Sequence, residues 1–211
     1  MQIAEPMTMF TDYLIFLQSL WLAKSLYFAN NRQVTRSQNI WIVALVFIGF
    51  ASLFGGTHHG LDLILDKNVN HALWKMTTYS IGMVSFLIFY GTMKSSCAKS
   101  WHKPLFAVAL AKLIIYYYWM FSHDKFMYVI FDYAPSMLAV LFLQIYSLKK
   151  YKTGSEKYFI YGVLISFFGA GIQQAKIGLH THFNHNDLYH IIQMIGIYMF
   201  YKGIPYLRDQ K

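Results

Sequence analysis

Charge is scarce in this 211-residue chain: 13% of its residues are charged, against about 25% in an ordinary soluble domain. Cysteine occurs once, at Cys97 in KSSCAKSW, which excludes an internal disulfide and a cysteine-built metal centre. Prolines are few, and there is neither an internal repeat nor a low-complexity segment. The N-terminal MQIAEPMTMFTDY lacks a basic leader and a small-residue cleavage site, so no removable signal peptide is expected. The stretches between apolar runs are about ten residues or shorter, which leaves no room for a soluble domain.

What the chain has instead is hydrophobic length. Apolar residues make up 56% of it, gathered in runs at 11–29, 39–65, 71–93, 104–122, 126–148, 158–179 and 187–205. Each is near the ~20 residues that cross a bilayer as a helix. The expected fold is all-α: a single domain over residues 1–211, an integral bundle of seven transmembrane helices.

The net charge of +9 does not point to nucleic acid, because of where it falls. Arg32 and Arg36 lie in the first connection, Lys94, Lys99 and Lys103 in the third, and Lys149, Lys150, Lys152 and Lys157 in the fifth. Lys202, Arg208 and Lys211 lie at or beyond the end of the last span, while the alternate connections and the N-tail hold only Lys67 and Lys125. Basic loops stay on the cytoplasmic side, so the N-terminus is expected outside and the C-terminus in the cytoplasm. Water and anionic lipid headgroups suffice as partners for these loops.

The histidines follow the opposite asymmetry. His58, His59, His71, His123, His180, His182, His185 and His190 all fall at the outer ends, with His102 alone on the inner side. Seven of the nine acids, among them Asp12, Asp62, Asp132 and Asp187, are outer as well. Ionisable groups at membrane depth face a bundle interior or a water-filled cavity, so a polar cavity opening outward is expected.

Two segments would build it. In GFASLFGGTHHGLDL, Ser52, Gly55, Gly56 and His59 share one helical face, and Asp62 follows His59 by three and His58 by four, within reach of either ring. In HFNHNDLYHIIQMIG, Asn186, Asp187, His190, Gln193 and Met194 share a face, and His185 joins His190 at a metal only if Asn186 is the N-cap. Gln173, Lys176 and His180 form a further face, and His71 and Lys75 another. Asp132 is expected to pair with Lys75 or Lys176 inside the membrane, while Lys112 has no evident partner. The run IIYYYW reads as an outer aromatic belt.

Seven spans, a histidine closing the second and a histidine pair on the seventh resemble the CREST superfamily, which includes alkaline ceramidases and progestin/adipoQ-type receptors. That resemblance implies a seven-helix bundle in which three histidines hold zinc and metal-bound water attacks a lipid amide or ester. The family's serine four residues before the second-span histidine corresponds here to Gly55, and its acid eleven residues after to Asn70. Its seventh-span histidines are four apart, whereas His185 and His190 are five apart, with Asn186 at the matching position.

The resulting expectation is a zinc-dependent membrane hydrolase acting on a lipid-like amide or ester from the outer side. His59 (or its neighbour His58), His185 and His190 would hold the metal. Asp62 or Asp187 would serve as general base or orient an imidazole, and Lys75 or Lys176 would stabilise an oxyanion. The alternatives are a receptor or transporter whose histidines sense pH, and a haem protein with His58 or His59 and His190 as axial ligands.

Overall fold

The computed structural model describes residues 3–29, 34–180 and 183–211; Arg32 and His182 lie outside the described residues. Among the described residues there are seven α-helices and no strand. They are α1 (Pro6–Ala29), α2 (Arg36–Leu61), α3 (Lys67–Ser96), α4 (His102–Ser122), α5 (Phe126–Lys150), α6 (Glu156–Gln174) and α7 (His185–Gly203). The seven apolar runs become seven helices. Four of these are long and apolar enough to cross a membrane: α2, α3, α5, and α4 with the 3₁₀ turn before it.

Local chemistry sets the helix starts. Thr35 and Gln38 form a reciprocal capping box at α2, each satisfying a backbone donor of the other. Asp66 caps α3 through the Asn68 amide, and Asn184 caps α7 with Asp187 closing a second capping box.

Six helices pack in a closed ring, α1–α2–α3–α5–α6–α7, and α7 returns to α1. Helix α4 stands outside the ring against α3 and barely touches α5. Glycine makes the closest approaches possible. A methyl at Gly56 would come within 2.8 Å of Asp12 Cβ on α1, and one at Gly82 would overlap the Tyr116 ring on α4.

The two ends of the ring differ. At one end Trp41, Phe159 and Phe200 interlock at centroid distances of 4.7, 5.3 and 5.7 Å, and all three are buried. The C-terminal tail seals this end: Asp209 accepts the Arg36 and Ser37 amides, and Gln38 donates to the carbonyls of Pro205 and Leu207. The opposite end, where α2 ends and α7 begins, is hollow.

Two expected ion pairs are corrected. Asp132 pairs with Lys112, at 2.5 Å, rather than with Lys75 or Lys176. Lys75 turns to Asp124 at 2.6 Å and donates to the carbonyls of Met120 and His123. Lys176 lies past the end of α6 with a left-handed backbone (φ 55°), so it does not continue the helical face of Gln173. The sequence pattern failed here because α4 is displaced outward, which brings Lys112 rather than Lys75 level with Asp132.

Candidate functional site

Helix α7 sets one wall of the hollow end. Asn184, not Asn186, is its N-cap, and it accepts from the Asn186 and Asp187 amides. His185 is therefore the first helical residue. Five positions on a regular helix separate it from His190 by about 140°. His190 lines the cavity and His185 does not. Asp187 is 1% exposed and faces α1, where Thr8 donates to it at 2.9 Å, while its other oxygen accepts the Asn184 amide.

Helix α1 contributes a polar stripe. Thr8, Thr11 and Asp12 are buried at helical spacing, and Ile15, Ser19 and Leu22 continue the stripe toward the closed end. Thr11 Oγ1 meets His190 Nδ1 at 2.8 Å. On the other side of the ring, His190 Nε2 lies 3.5 Å from Asp12 Oδ1. One imidazole is thus hydrogen-bonded to α1 through Nδ1, with the Asp12 carboxylate near its Nε2.

The histidine pair on α2 divides. His59 faces the cavity, with Glu5 3.8 Å from its Nδ1. His58 points away, its Nδ1 2.9 Å from Asn70 Oδ1 and its ring against Trp74 at 5.0 Å. Asn70 in turn donates to Asp62 at 2.5 Å. Asp62 therefore acts on His58 through an amide and makes no direct bond to either imidazole. His58, Asp62, Lys67 and His71 border a separate outer groove of about 310 Å³, divided from the main cavity by Trp74. The loop beside it is clamped by Asp124. Hydrogen bonding to Lys75, ahead of that to His71, holds the Asp124 carboxyl below the usual carboxylate range.

The main cavity has a volume of about 570 Å³ and draws on all six ring helices. It runs from the helix ends at His59, Trp74, Gln173 and Asn186 down to Ile48, Val84 and Met137 in mid-bundle. Its body is aliphatic and aromatic, and its polar groups gather at the end holding Asp12, His59 and His190. The small face of α2 serves two purposes: Ser52 and Gly55 border the void, while Gly56 and Gly60 receive α1.

The sequence-derived site residues are therefore scattered. His59 and His190 open onto one cavity. His58 and Asp62 belong to the outer groove, His185 lies off the cavity, Asp187 is committed to Thr8 and Asn184, and Lys75 is committed to the Asp124 loop. Among the described residues no three His, Cys, Asp or Glu side chains stand together at metal-ligand spacing, and of the three histidines expected at a metal only His59 and His190 border the cavity. Thr11 and Asp12 were not picked out as site residues in the sequence. Their signal was the TxxTD spacing, which sets three polar groups on the face of α1 that the rest of the helix buries.

No curated protein and no solved structure matches the chain. Residues 7–209 match the family of unknown function (DUF6962), and the chain belongs to that family.

Proposed function

We propose that the chain is a membrane protein of seven spans that takes a lipid-like molecule into the ring, its polar group at Asp12, His59 and His190 and its tail in mid-bundle. One observation carries the reading: an interior cavity of about 570 Å³ with an apolar body and a hydrogen-bonding cluster at one end. That volume lies in the range of sites that bury most of a small ligand, about 300–1,000 Å³.

Seven spans are favoured by the outer surface. Helices α1, α6 and α7 expose Leu17, Trp21, Leu164, Phe168 and Ile195, as α4 and α5 expose Ile114, Phe131 and Phe142. Apolar faces this extensive call for lipid around them. The basic loops favour the closed end as cytoplasmic, with the cavity opening outward.

The test is equilibrium binding of dodecanol and of an N-dodecanoyl amide, by native mass spectrometry of the detergent-purified protein. Gly171 gives the control, because it borders the cavity and an added Cβ there meets nothing within 4 Å. Stoichiometric binding that disappears in Gly171→Phe supports the reading. Binding that survives that substitution removes it.

A second reading, zinc-dependent hydrolysis of a lipid amide or ester, is favoured by His59 and His190 sharing the polar end with Asp12. It requires a third donor to join the two histidines. Elemental analysis decides it: about one zinc per chain, lost in His59→Ala and in His190→Ala, supports hydrolysis. Metal absent after zinc is offered and the excess removed excludes it.

A further inference from the structure

The chain carries twice as many basic as acidic residues, 18 to 9, yet the cavity reverses that balance. Among the described residues no lysine or arginine lines it, and Asp12 is the one acid that does. Outer lysines that come near are engaged or excluded: Lys75 is bound to Asp124, Lys67 borders the separate groove, and Lys176 lies beyond α6.

Asp12 is 6% exposed, and among the described residues no hydrogen bond reaches its carboxylate. Its nearest cation-capable neighbour, His190 Nε2, is 3.5 Å away, outside the 2.7–3.2 Å range of such bonds. The other nitrogen of that ring is held by Thr11. Across from Asp12 the neighbouring helix α2 offers Gly55, where even an added methyl would stay 3.7 Å from Asp12 Oδ2. The absence of a side chain at position 55 leaves a gap between Asp12 and Thr77, and both border the cavity. A second acid deepens the field, since Glu5 lies beside His59 with one oxygen buried and unbonded. A buried carboxylate without a counter-charge is costly, so the site is complete only with a cation or a proton on it. Trp74, Phe126, Tyr133 and Tyr189 supply aromatic faces along the same cavity, which also attract cations.

We propose that the cavity selects an amine: a single-chain amphiphile whose ammonium seats at Asp12 beside His190 and whose tail lies among α3, α5 and α6. This rests on the reading of the cavity as a ligand site. The ammonium–carboxylate pair forms whichever of the two brings the proton. A phosphate-bearing amine lipid is disfavoured, because among the described residues no lysine or arginine lines the cavity to receive the phosphate.

The test compares four matched probes by native mass spectrometry: dodecylamine, dodecanol, dodecanoate and a twelve-carbon lysophosphatidylethanolamine. A hydrogen bond to a charged group contributes about 1.5–3 kcal/mol, so dodecylamine is expected to bind about ten- to a hundredfold more tightly than dodecanol. Dodecanoate and the lysophospholipid are expected to bind no better than dodecanol. Asp12→Asn should abolish the preference, so that amine and alcohol bind alike in that variant, while Asp12→Glu keeps the preference. Equal affinity of amine and alcohol in the wild type, a preference for carboxylate or phosphate, or a preference that survives in Asp12→Asn overturns the proposal while leaving the cavity reading intact. If Gly171→Phe displaces none of the four, both fail together.

Discussion

Replacing Lys112 by methionine isolates the polar clamp that holds α4 to the ring. Lys112 Nζ lies 2.5 Å from Asp132 Oδ1 and 2.8 Å from Ser85 Oγ, and Ser85 in turn reaches Asp132 O and Ser136 Oγ. The Asp132 side chain is 6% exposed, and its second oxygen has no hydrogen-bond partner. Without the ammonium, the carboxylate has no cation to meet in a low-dielectric setting. Breaking a buried pair in this way costs about 3–5 kcal/mol. Because Lys112 keeps 31% of its side chain exposed, we expect the lower end, about 3 kcal/mol. Removing both charges, with Asp132→Leu alongside Lys112→Met, should cost about 1 kcal/mol or less, since an apolar pair replaces an ion pair with little loss. Thermal unfolding in detergent measures the cycle. At about 2–4 °C per kcal/mol for a chain of this size, Lys112→Met should lower Tm by roughly 6–12 °C and the double variant should recover most of it. A single variant within about 1 °C of wild type, or a double variant that loses the sum of both singles, would refute the clamp.

Three further outcomes follow from the same geometry. Gly82→Ala should cost about 1–3 kcal/mol, read as a lowered Tm, because the methyl overlaps the Tyr116 ring and pushes α4 off α3; full stability would show that α4 is not packed as described. Asn184→Ala should cost about 1–2 kcal/mol, since the α7 cap loses its bonds to Asn186 and Asp187; a loss below about 0.3 kcal/mol would count against the capping box. The Asp124 clamp should depend on acid. Its folded carboxyl lies below the ordinary value, so its stabilisation is complete above about pH 4 and is lost as pH falls through the lower folded value. Asp124 is 53% exposed, so the contribution is below about 1 kcal/mol. Trp74 donates to the Asp124 carbonyl and reports the release by its fluorescence. A transition that begins well above pH 4 would contradict the assignment.

The helices were legible in the sequence because lipid-length apolar runs leave few alternatives, and all seven appear. A cavity at the histidine end was legible too, from where eight of nine histidines fall, but its body is apolar and only His59 and His190 among them line it. Its chemistry was less so. Helix periodicity gives the face of a single helix, and it correctly turned His59 inward and His58 away. Which helices adjoin is a tertiary matter, and there the reading failed: Lys112 reaches Asp132 only because α4 stands outside the ring. The start of α7 hinged on one cap. Asn184 rather than Asn186 draws His185 into the helix and turns it from His190, and the signal for it was Asp187 three residues on, which closes the capping box. In the sequence Asp12 is one outer acid among seven. Its open side toward Gly55 is a property of two packed helices and of neither alone.

The central claim is that a lipid-like molecule occupies the ring interior, and photolabelling tests it most directly. A dodecyl amide carrying a diazirine near the tail end, irradiated on the protein in nanodiscs, should mark Val84 on α3 and Met137 on α5, which border the deep end of the cavity. That labelling should be competed by unlabelled amide and lost in Gly171→Phe. Labels confined to lipid-facing positions such as Ile114 and Phe121 on α4, unchanged by competitor, would show that the chain has only a lipid boundary there and would contradict the account.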